Sequence, residues 1–200
     1  MIKFEKVSKF KDVEFDMPAR KTAHSAGYDM VVAEDTVIPP YRNHVSAMGL
    51  LSKAPNAVTL LVTGANFQEP VYDLAEVAKI TKNYKIKPTL VSTGVKCYLD
   101  PGYYLELSVR SSTPLKYWLM MANGVGIIDA DYADNPDNEG EIFFQLVNFT
   151  PWPIQLRKGD VIGQGIIKKY ETTDDDAAAG KRLGGFGSTS KYNPPGWTEC

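Results

Sequence analysis

Short runs of β-branched and aromatic residues, separated by turn signals, most limit the fold of this 200-residue sequence. In the run Tyr103–Val109, the odd-numbered residues are apolar or aromatic and are expected on one face of a strand, with the even-numbered residues on the other. The turn signal Asp100-Pro101-Gly102 precedes it. Similar runs are Ile2–Val7, Lys87–Leu99, Ile142–Phe149 and Val161–Tyr170. Together they predict an all-β barrel or sandwich.

Two segments depart from the strand pattern. Between about 41 and 86, apolar residues at helical spacing behind Pro70 predict one amphipathic helix over about 70–82. After residue 170 the sequence ETTDDDAAAG is acidic and then rich in small residues, as in a mobile linker. We therefore predict a β domain over 1–170 that carries an insertion at about 41–86, followed by a flexible C-terminal arm over 171–200.

Composition excludes several classes of protein. The 22 basic and 24 acidic residues give a net charge of −2, which provides no field for a nucleic-acid backbone. The sequence has no apolar run of about 20 residues to span a membrane, and its charged N-terminus does not resemble a secretory signal. Cys97 and Cys200 are too few for a disulfide framework, and with two histidines they do not favour a zinc site. We expect a cytoplasmic protein.

The stretch NGVGIIDADY, Asn123–Tyr132, is the first candidate for chemistry. Asp129 and Asp131 are two residues apart, so on an extended chain their side chains point the same way. The preceding apolar pair Ile127-Ile128 is expected to desolvate them partly, which would raise their proton affinity as a general base requires. An Asp-rich turn that closes a hairpin is the structural alternative.

Four further stretches carry residues suited to phosphates or a planar ligand. An arginine beside two hydroxyls, in VRSS at 109–112, can fork onto phosphate oxygens. The glycines of GGFGSTS at 184–190 allow close approach of backbone N–H groups to an anion, and Phe186 can cover a planar ring. Asp29 in SAGYDM suits a metal-bound water, and Gln164 in GDVIGQG suits a phosphate. A strand end, a Gly/Ser tail and two turns are the respective alternatives.

Taken in order, SAGYDM, VRSS, NGVGIIDADY, KGDVIGQGI and GGFGSTS resemble the five motifs of the trimeric dUTP pyrophosphatase (dUTPase) family. The similarity covers about 20–40 and 87–190, and the stretch between resembles the extra segment of long phage dUTPases. The resemblance implies a β-barrel or jelly-roll subunit of the β-clip kind, with a small helical insertion. It also implies a homotrimer with shared active sites, which hydrolyses dUTP to dUMP and pyrophosphate with Mg²⁺.

The resemblance also implies roles for individual residues. Asp129 is the general base, and Asp29 orients a water on Mg²⁺ rather than binding the ion directly. Tyr132 packs beneath the sugar and leaves no room for a 2′-OH, and Phe186 stacks on the uracil, while Asp131 is structural. The remaining substrate-binding residues are Asn123, Gly126 and Ile127 at the uracil, and Arg110, Ser111, Ser112, Gln164, Arg182, Gly187, Ser188 and Thr189 at the phosphates.

The sequence departs from the family pattern at three places. Lys181-Arg182-Leu183 stands where Arg-Gly-X is usual, so either Lys181 or Arg182 serves the terminal phosphate. The loop ADNPDNEG at 133–140 replaces an Arg-Gly pair. Val161 and Gly163 stand where Arg and Ala are frequent.

Three other functions stay open from the sequence. A dCTP deaminase has a similar fold but needs a glutamate close to its Arg-Ser-Ser motif, and none follows Arg110 within several residues. A protein-binding regulator would act through the insertion at about 41–86, which is long for a simple connection. A β-sandwich binding module without catalysis is the third alternative.

Overall fold

The computed structural model describes residues 1–41 and 87–180, with Ala75, Lys79, Arg182, Gly184 and Gly185. Their regular structure is almost entirely β-strand, which confirms the predicted fold class. The elements in chain order are β1 (Lys3–Lys6), a 3-10 turn (Ser8–Phe10), β2 (Tyr28–Val31), β3 (Thr36–Ile38), β4 (Thr89–Ser92), β5 (Val95–Tyr98), β6 (Tyr103–Val109), helix α1 (Ser112–Tyr117), β7 (Leu119–Met121), β8 (Gly126–Ile128), β9 (Phe143–Asn148), β10 (Ile154–Leu156) and β11 (Val161–Lys169).

Two predictions lie outside the described residues. The helix expected over about 70–82 is represented only by Ala75 and Lys79, both of which are helical. The insertion at about 41–86, with the partner-binding role predicted for it, is otherwise not described. The boundaries of the β domain and of the C-terminal arm stay predictions.

The described strands pair antiparallel in four sheets. The largest has the order β2-β11-β6-β8, a second has the order β4-β9-β7, and β1-β5 and β3-β10 form pairs. One cluster of buried side chains draws on all four sheets, with Met30, Ile38, Val95, Leu105 and Phe144 among its members. The sheets therefore share a single core.

Strand β6 shows how the sequence positions the site. Leu105 and Leu107 are 0% and 1% exposed, so they form part of the core. Glu106 and Ser108 alternate with them and lie half-buried on the opposite face. Because side chains alternate along a strand, this outer face is the one that carries polar groups across the four-stranded sheet.

The apolar run Lys87–Leu99 does not form one continuous strand. It divides into β4 and β5, which belong to different sheets. The chain turns at Gly94, whose φ of +66° lies in the left-handed region. A Cβ there would lie 2.8 Å from the Cβ of Ala33 and 2.9 Å from the ring of Phe15, so this turn requires glycine.

Candidate active site

A row of polar side chains crosses three strands on the outer face of the four-stranded sheet. Gln164 on β11 pairs directly with Asp29 on β2 and with Ser108 on β6. Directly paired residues of antiparallel strands place their side chains on the same face. Gln164 Nε2 donates a hydrogen bond to Ser108 Oγ at 3.3 Å. Asp29 and Gln164 are predicted from the sequence, whereas the only signal for Ser108 is that it alternates in step with Arg110.

Arg110 joins this row at the end of β6. Its Nε lies 3.5 Å from Oδ1 of Asp29, and the side chains of Arg110 and Asp29 are 41% and 14% exposed. Ser111 immediately precedes α1, and Ser112 is its first residue. The structure thus brings Asp29, Arg110 and Gln164 together, and we call Asp29, Ser108, Arg110 and Gln164 the polar row.

Asp129 and Asp131 lie in the turn after β8, the other outer strand of this sheet. The N–H of Tyr132 donates to the carbonyl of Asp129 at 3.1 Å and closes the turn. The two carboxylates are 51% and 57% exposed. The desolvation expected from the preceding isoleucines is therefore not found in the subunit, because Ile127 faces outward and is itself 51% exposed. We call Asp129, Asp131 and Tyr132 the aspartate turn.

The residues predicted to contact a base lie on β8 and just before it. Asn123 belongs to the β7–β8 connection, where its carbonyl accepts a hydrogen bond from Val125 at 2.7 Å. Gly126 and Ile127 lie on β8, which pairs with β6 alone among the described strands. One edge of β8 therefore leaves main-chain N–H and C=O groups without a strand partner there, as recognition of a base edge requires.

Tyr132 is fixed in place by the loop that departs from the family pattern. Its side chain is 7% exposed, its hydroxyl donates to the carbonyl of Glu141 at 3.1 Å, and Nδ2 of Asn138 donates to it at 2.9 Å. Nδ2 of Asn135 donates to the Tyr132 carbonyl at 2.8 Å. Burial raises the pKa of the Tyr132 hydroxyl. The loop therefore immobilises the ring, a role for Asn135 and Asn138 that sequence patterns do not reveal.

Arg182 bridges the aspartate turn. Its Nε donates to Oδ1 of Asp131 at 2.7 Å, and its terminal nitrogen donates to Oδ2 of Asp129. The guanidinium lies 5.8 Å from the ring centroid of Tyr132. A Cβ on Gly185 would lie 3.0 Å from that ring, so the start of the arm packs closely on Tyr132. Lys181, Phe186, Gly187, Ser188 and Thr189 lie outside the described residues.

The polar row and the aspartate turn lie at opposite ends of β6. Ile128 pairs with Leu105 near the start of β6, whereas Arg110 follows its last residue. About six residues of strand therefore separate Asp129 from Arg110, which at ~3.4 Å per residue is about 20 Å. Throughout the described part of the chain, no hydrogen bond or ion pair joins the two groups. The candidate site residues of one chain thus form two separated groups.

Few of the described side chains are placed to bind a metal ion. Among the described residues, no three His, Cys, Asp or Glu side chains are grouped as a metal centre. Asp29 provides one half-buried carboxylate beside Arg110. A single carboxylate suits Mg²⁺, which keeps several waters and takes further oxygens from substrate phosphates. Nor does any helix in the described ranges have the length and apolarity to cross a membrane.

Comparisons with known proteins agree on one family. The family model for dUTPase matches residues 68–190. The deoxyuridine 5'-triphosphate nucleotidohydrolase of Lactococcus lactis is 34% identical over 188 residues, 93% of this chain and 95% of that protein. The dUTPase structure from Streptococcus mutans has 32% identity and a TM-score of 0.60, covering 86% of this chain and 98% of that one. The dUTPase of phage phi11 of S. aureus, at 18% identity and a TM-score of 0.55, covers 89% and 96% and shares the fold.

Proposed function

The chain belongs to the dUTPase family, and its reaction is the hydrolysis of dUTP to dUMP and pyrophosphate, for which we propose Asp129 as the general base. The observations that support the residue assignment are the order of the five motifs in the sequence and a sheet that gathers Asp29, Arg110 and Gln164 on one face. The reaction lowers dUTP and supplies dUMP for thymidylate synthesis.

The chemical step needs one base and a stabilised leaving group. The Asp129 carboxylate takes a proton from water as the water oxygen forms a bond to the α-phosphorus. The bond from the α-phosphorus to the bridging oxygen then breaks, and pyrophosphate leaves. Asp129 is half-exposed, so water reaches it. Bound Mg²⁺ supplies positive charge that offsets the charge developing on the phosphates.

The polar row suits the triphosphate. The Arg110 guanidinium can fork onto phosphate oxygens, and the Gln164 amide can donate to them. Ser111 adds a hydroxyl donor beside the α–β bridging oxygen, and Ser112 adds a second hydroxyl at the phosphates. Asp29 would hold Mg²⁺ through a water. Ser188, Thr189 and the backbone at Gly187 complete the phosphate contacts from the arm.

The aspartate turn and β8 suit the nucleoside. Asn123 and the main chain at Gly126 and Ile127 bond the uracil edge, which rejects cytosine by leaving polar groups unpaired. The ring of Tyr132 is held in place, because its hydroxyl donates to the Glu141 carbonyl and accepts from the Asn138 amide. It therefore packs beneath a deoxyribose and excludes a 2′-OH. Phe186 stacks on the uracil.

Arg182 changes partners in this proposal. In the structure its guanidinium bridges Asp129 and Asp131. A base that is bound to a guanidinium is poorly placed to accept a proton. A triphosphate offers Arg182 oxygens with more negative charge, so substrate draws it from Asp129 to the terminal phosphate, with Lys181 beside it.

The separation of the polar row from the aspartate turn supports an active site that is shared between subunits of a homotrimer. A base that takes the proton from the attacking water must lie within hydrogen-bond reach of that water, and therefore close to the α-phosphate and the groups that hold it. About 20 Å of strand separates Asp129 and Arg110 within one chain. The aspartate turn of one subunit therefore faces the polar row of another.

One assay tests the reaction and its alternatives together. The protein is incubated with Mg²⁺ and dUTP, dCTP, dTTP or UTP, and both pyrophosphate and ammonia are measured. Pyrophosphate from dUTP alone is expected. Ammonia from dCTP would instead identify a deaminase.

The substitution Asp129→Asn tests the base. It preserves shape and removes the proton acceptor, so kcat should fall by at least about 100-fold. Asp137→Asn removes an exposed carboxylate of the neighbouring loop and should leave kcat unchanged. Turnover by Asp129→Asn at the wild-type rate would refute the mechanism.

A further inference from the structure

The side chain of Gln164 is confined on two sides. A Cβ on Gly27 would lie 2.2 Å from Gln164 Oε1 and 2.9 Å from its Cδ, so the amide lies directly over the Gly27 backbone. On the other side, Nε2 donates to Ser108 Oγ at 3.3 Å. The amide thus lies between Gly27, which immediately precedes β2, and Ser108 on β6.

This confinement decides where the amide points. A glutamine amide carries two N–H donors in one plane, and its last torsion angle is otherwise only weakly restricted. When Ser108 accepts one N–H, the planar geometry fixes the direction of the other. Both residues lie on the sheet face that also carries Asp29 and Arg110.

We propose that Ser108 is a positioning residue for substrate binding, because it accepts one N–H of Gln164 and thereby aims the other at the triphosphate. The inference rests on the proposed phosphate role of Gln164. Since Ser108 acts through Gln164 and does not touch the reacting atoms, its loss weakens substrate binding and leaves the chemical step unchanged. Its surroundings tolerate the change, because its side chain is only half-buried.

Four variants test this assignment: Ser108→Ala, Ser108→Thr, Gln164→Ala and the double variant Ser108→Ala/Gln164→Ala. The loss of one hydrogen bond should raise the KM for dUTP about three- to tenfold in Ser108→Ala, with kcat within about twofold of wild type. Ser108→Thr keeps the hydroxyl on a residue type that favours strands, so its KM for dUTP should stay close to that of wild type. The double variant should match Gln164→Ala alone, because Ser108 has nothing left to position.

The outcomes separate this inference from the function on which it rests. If Gln164→Ala leaves KM unchanged, the phosphate role of Gln164 is wrong and the inference falls with it. If Gln164→Ala raises KM while Ser108→Ala does not, only the Ser108 assignment is wrong. Additive effects in the double variant would also overturn it, since they would mean that Ser108 acts independently of Gln164.

Discussion

The substitution Gly163→Ala tests the packing of the two larger sheets directly. Alanine adds only one methyl group, yet this chain leaves it no room. A Cβ on Gly163 would lie 2.2 Å from Cε1 and 2.5 Å from Cζ of Phe144, and 2.7 Å from the carbonyl oxygen of Ser108. Phe144 is 0% exposed at the centre of the core. Neither the ring nor the backbone can move without disturbing its neighbours.

The magnitude follows from two opposing effects. Extra volume in a packed core costs about 1–3 kcal/mol. Replacement of glycine restricts the unfolded chain and returns about 0.4–1 kcal/mol. With central values of about 2 kcal/mol for the cost and about 0.7 kcal/mol for the return, the net loss of unfolding free energy is about 1.3 kcal/mol. A loss of this size lowers Tm by roughly 3–5 °C in a chain of this size.

Thermal unfolding at one fixed protein concentration is the assay, because association changes the apparent Tm. Gly180→Ala is the control, since no atom lies within 4 Å of its added Cβ. In a Phe144→Leu variant, the aromatic ring is absent. Gly163→Ala should then lower the free energy of unfolding by at least about 0.5 kcal/mol less than it does in wild type. An unchanged Tm for Gly163→Ala, or equal costs in both backgrounds, would refute the reasoning.

Two further predictions concern buried titratable groups. Burial raises the pKa of the Glu141 carboxyl above 4.5, although Ser92 donates a hydrogen bond to it. The folded state then holds this proton more tightly than the unfolded state, so stability is lost as pH rises from about 4.5. In thermal scans, the Tm of Glu141→Gln should increase relative to that of wild type as the pH rises above about 4.5. A Tm difference that stays constant with pH would contradict this. Burial raises the pKa of the Cys97 thiol to about 12. In a Cys200→Ser variant, a thiol reagent should therefore label Cys97 only after the protein unfolds. Rapid labelling of the native protein would contradict this prediction.

Local patterns in the sequence predict several of the strands, but they do not predict which sheet each strand joins. The alternation of β6 follows from side-chain geometry within one strand, so the sequence reveals its core face. The division of Lys87–Leu99 depends on Gly94, where the chain turns between Ala33 and Phe15, two residues from distant parts of the sequence. The exposure of Ile127 is likewise set by the pairing of β8 with β6, which no local pattern contains.

In the candidate site as well, the sequence predicts residue types but not the contacts that those residues make. The sequence motifs predict Asp129 as a base, Gln164 as a phosphate ligand, and either Lys181 or Arg182 as a cation for the terminal phosphate. Their partners come from the sheet order and the path of the arm: Arg182 reaches carboxylates 51 and 53 residues away, and Gln164 reaches Ser108 across 56 residues.

The antiparallel register of β6 and β8 has the furthest consequence for function. It sends the aspartate turn to the start of β6, while the polar row gathers at its end. The pairing of β6 with β8 therefore keeps Asp129, the proposed base, away from Arg110 and Gln164 of its own chain. Under the proposed mechanism, a subunit with this register would supply two different active sites with one group each and would complete neither alone. Association of subunits is then a requirement of the proposed chemistry.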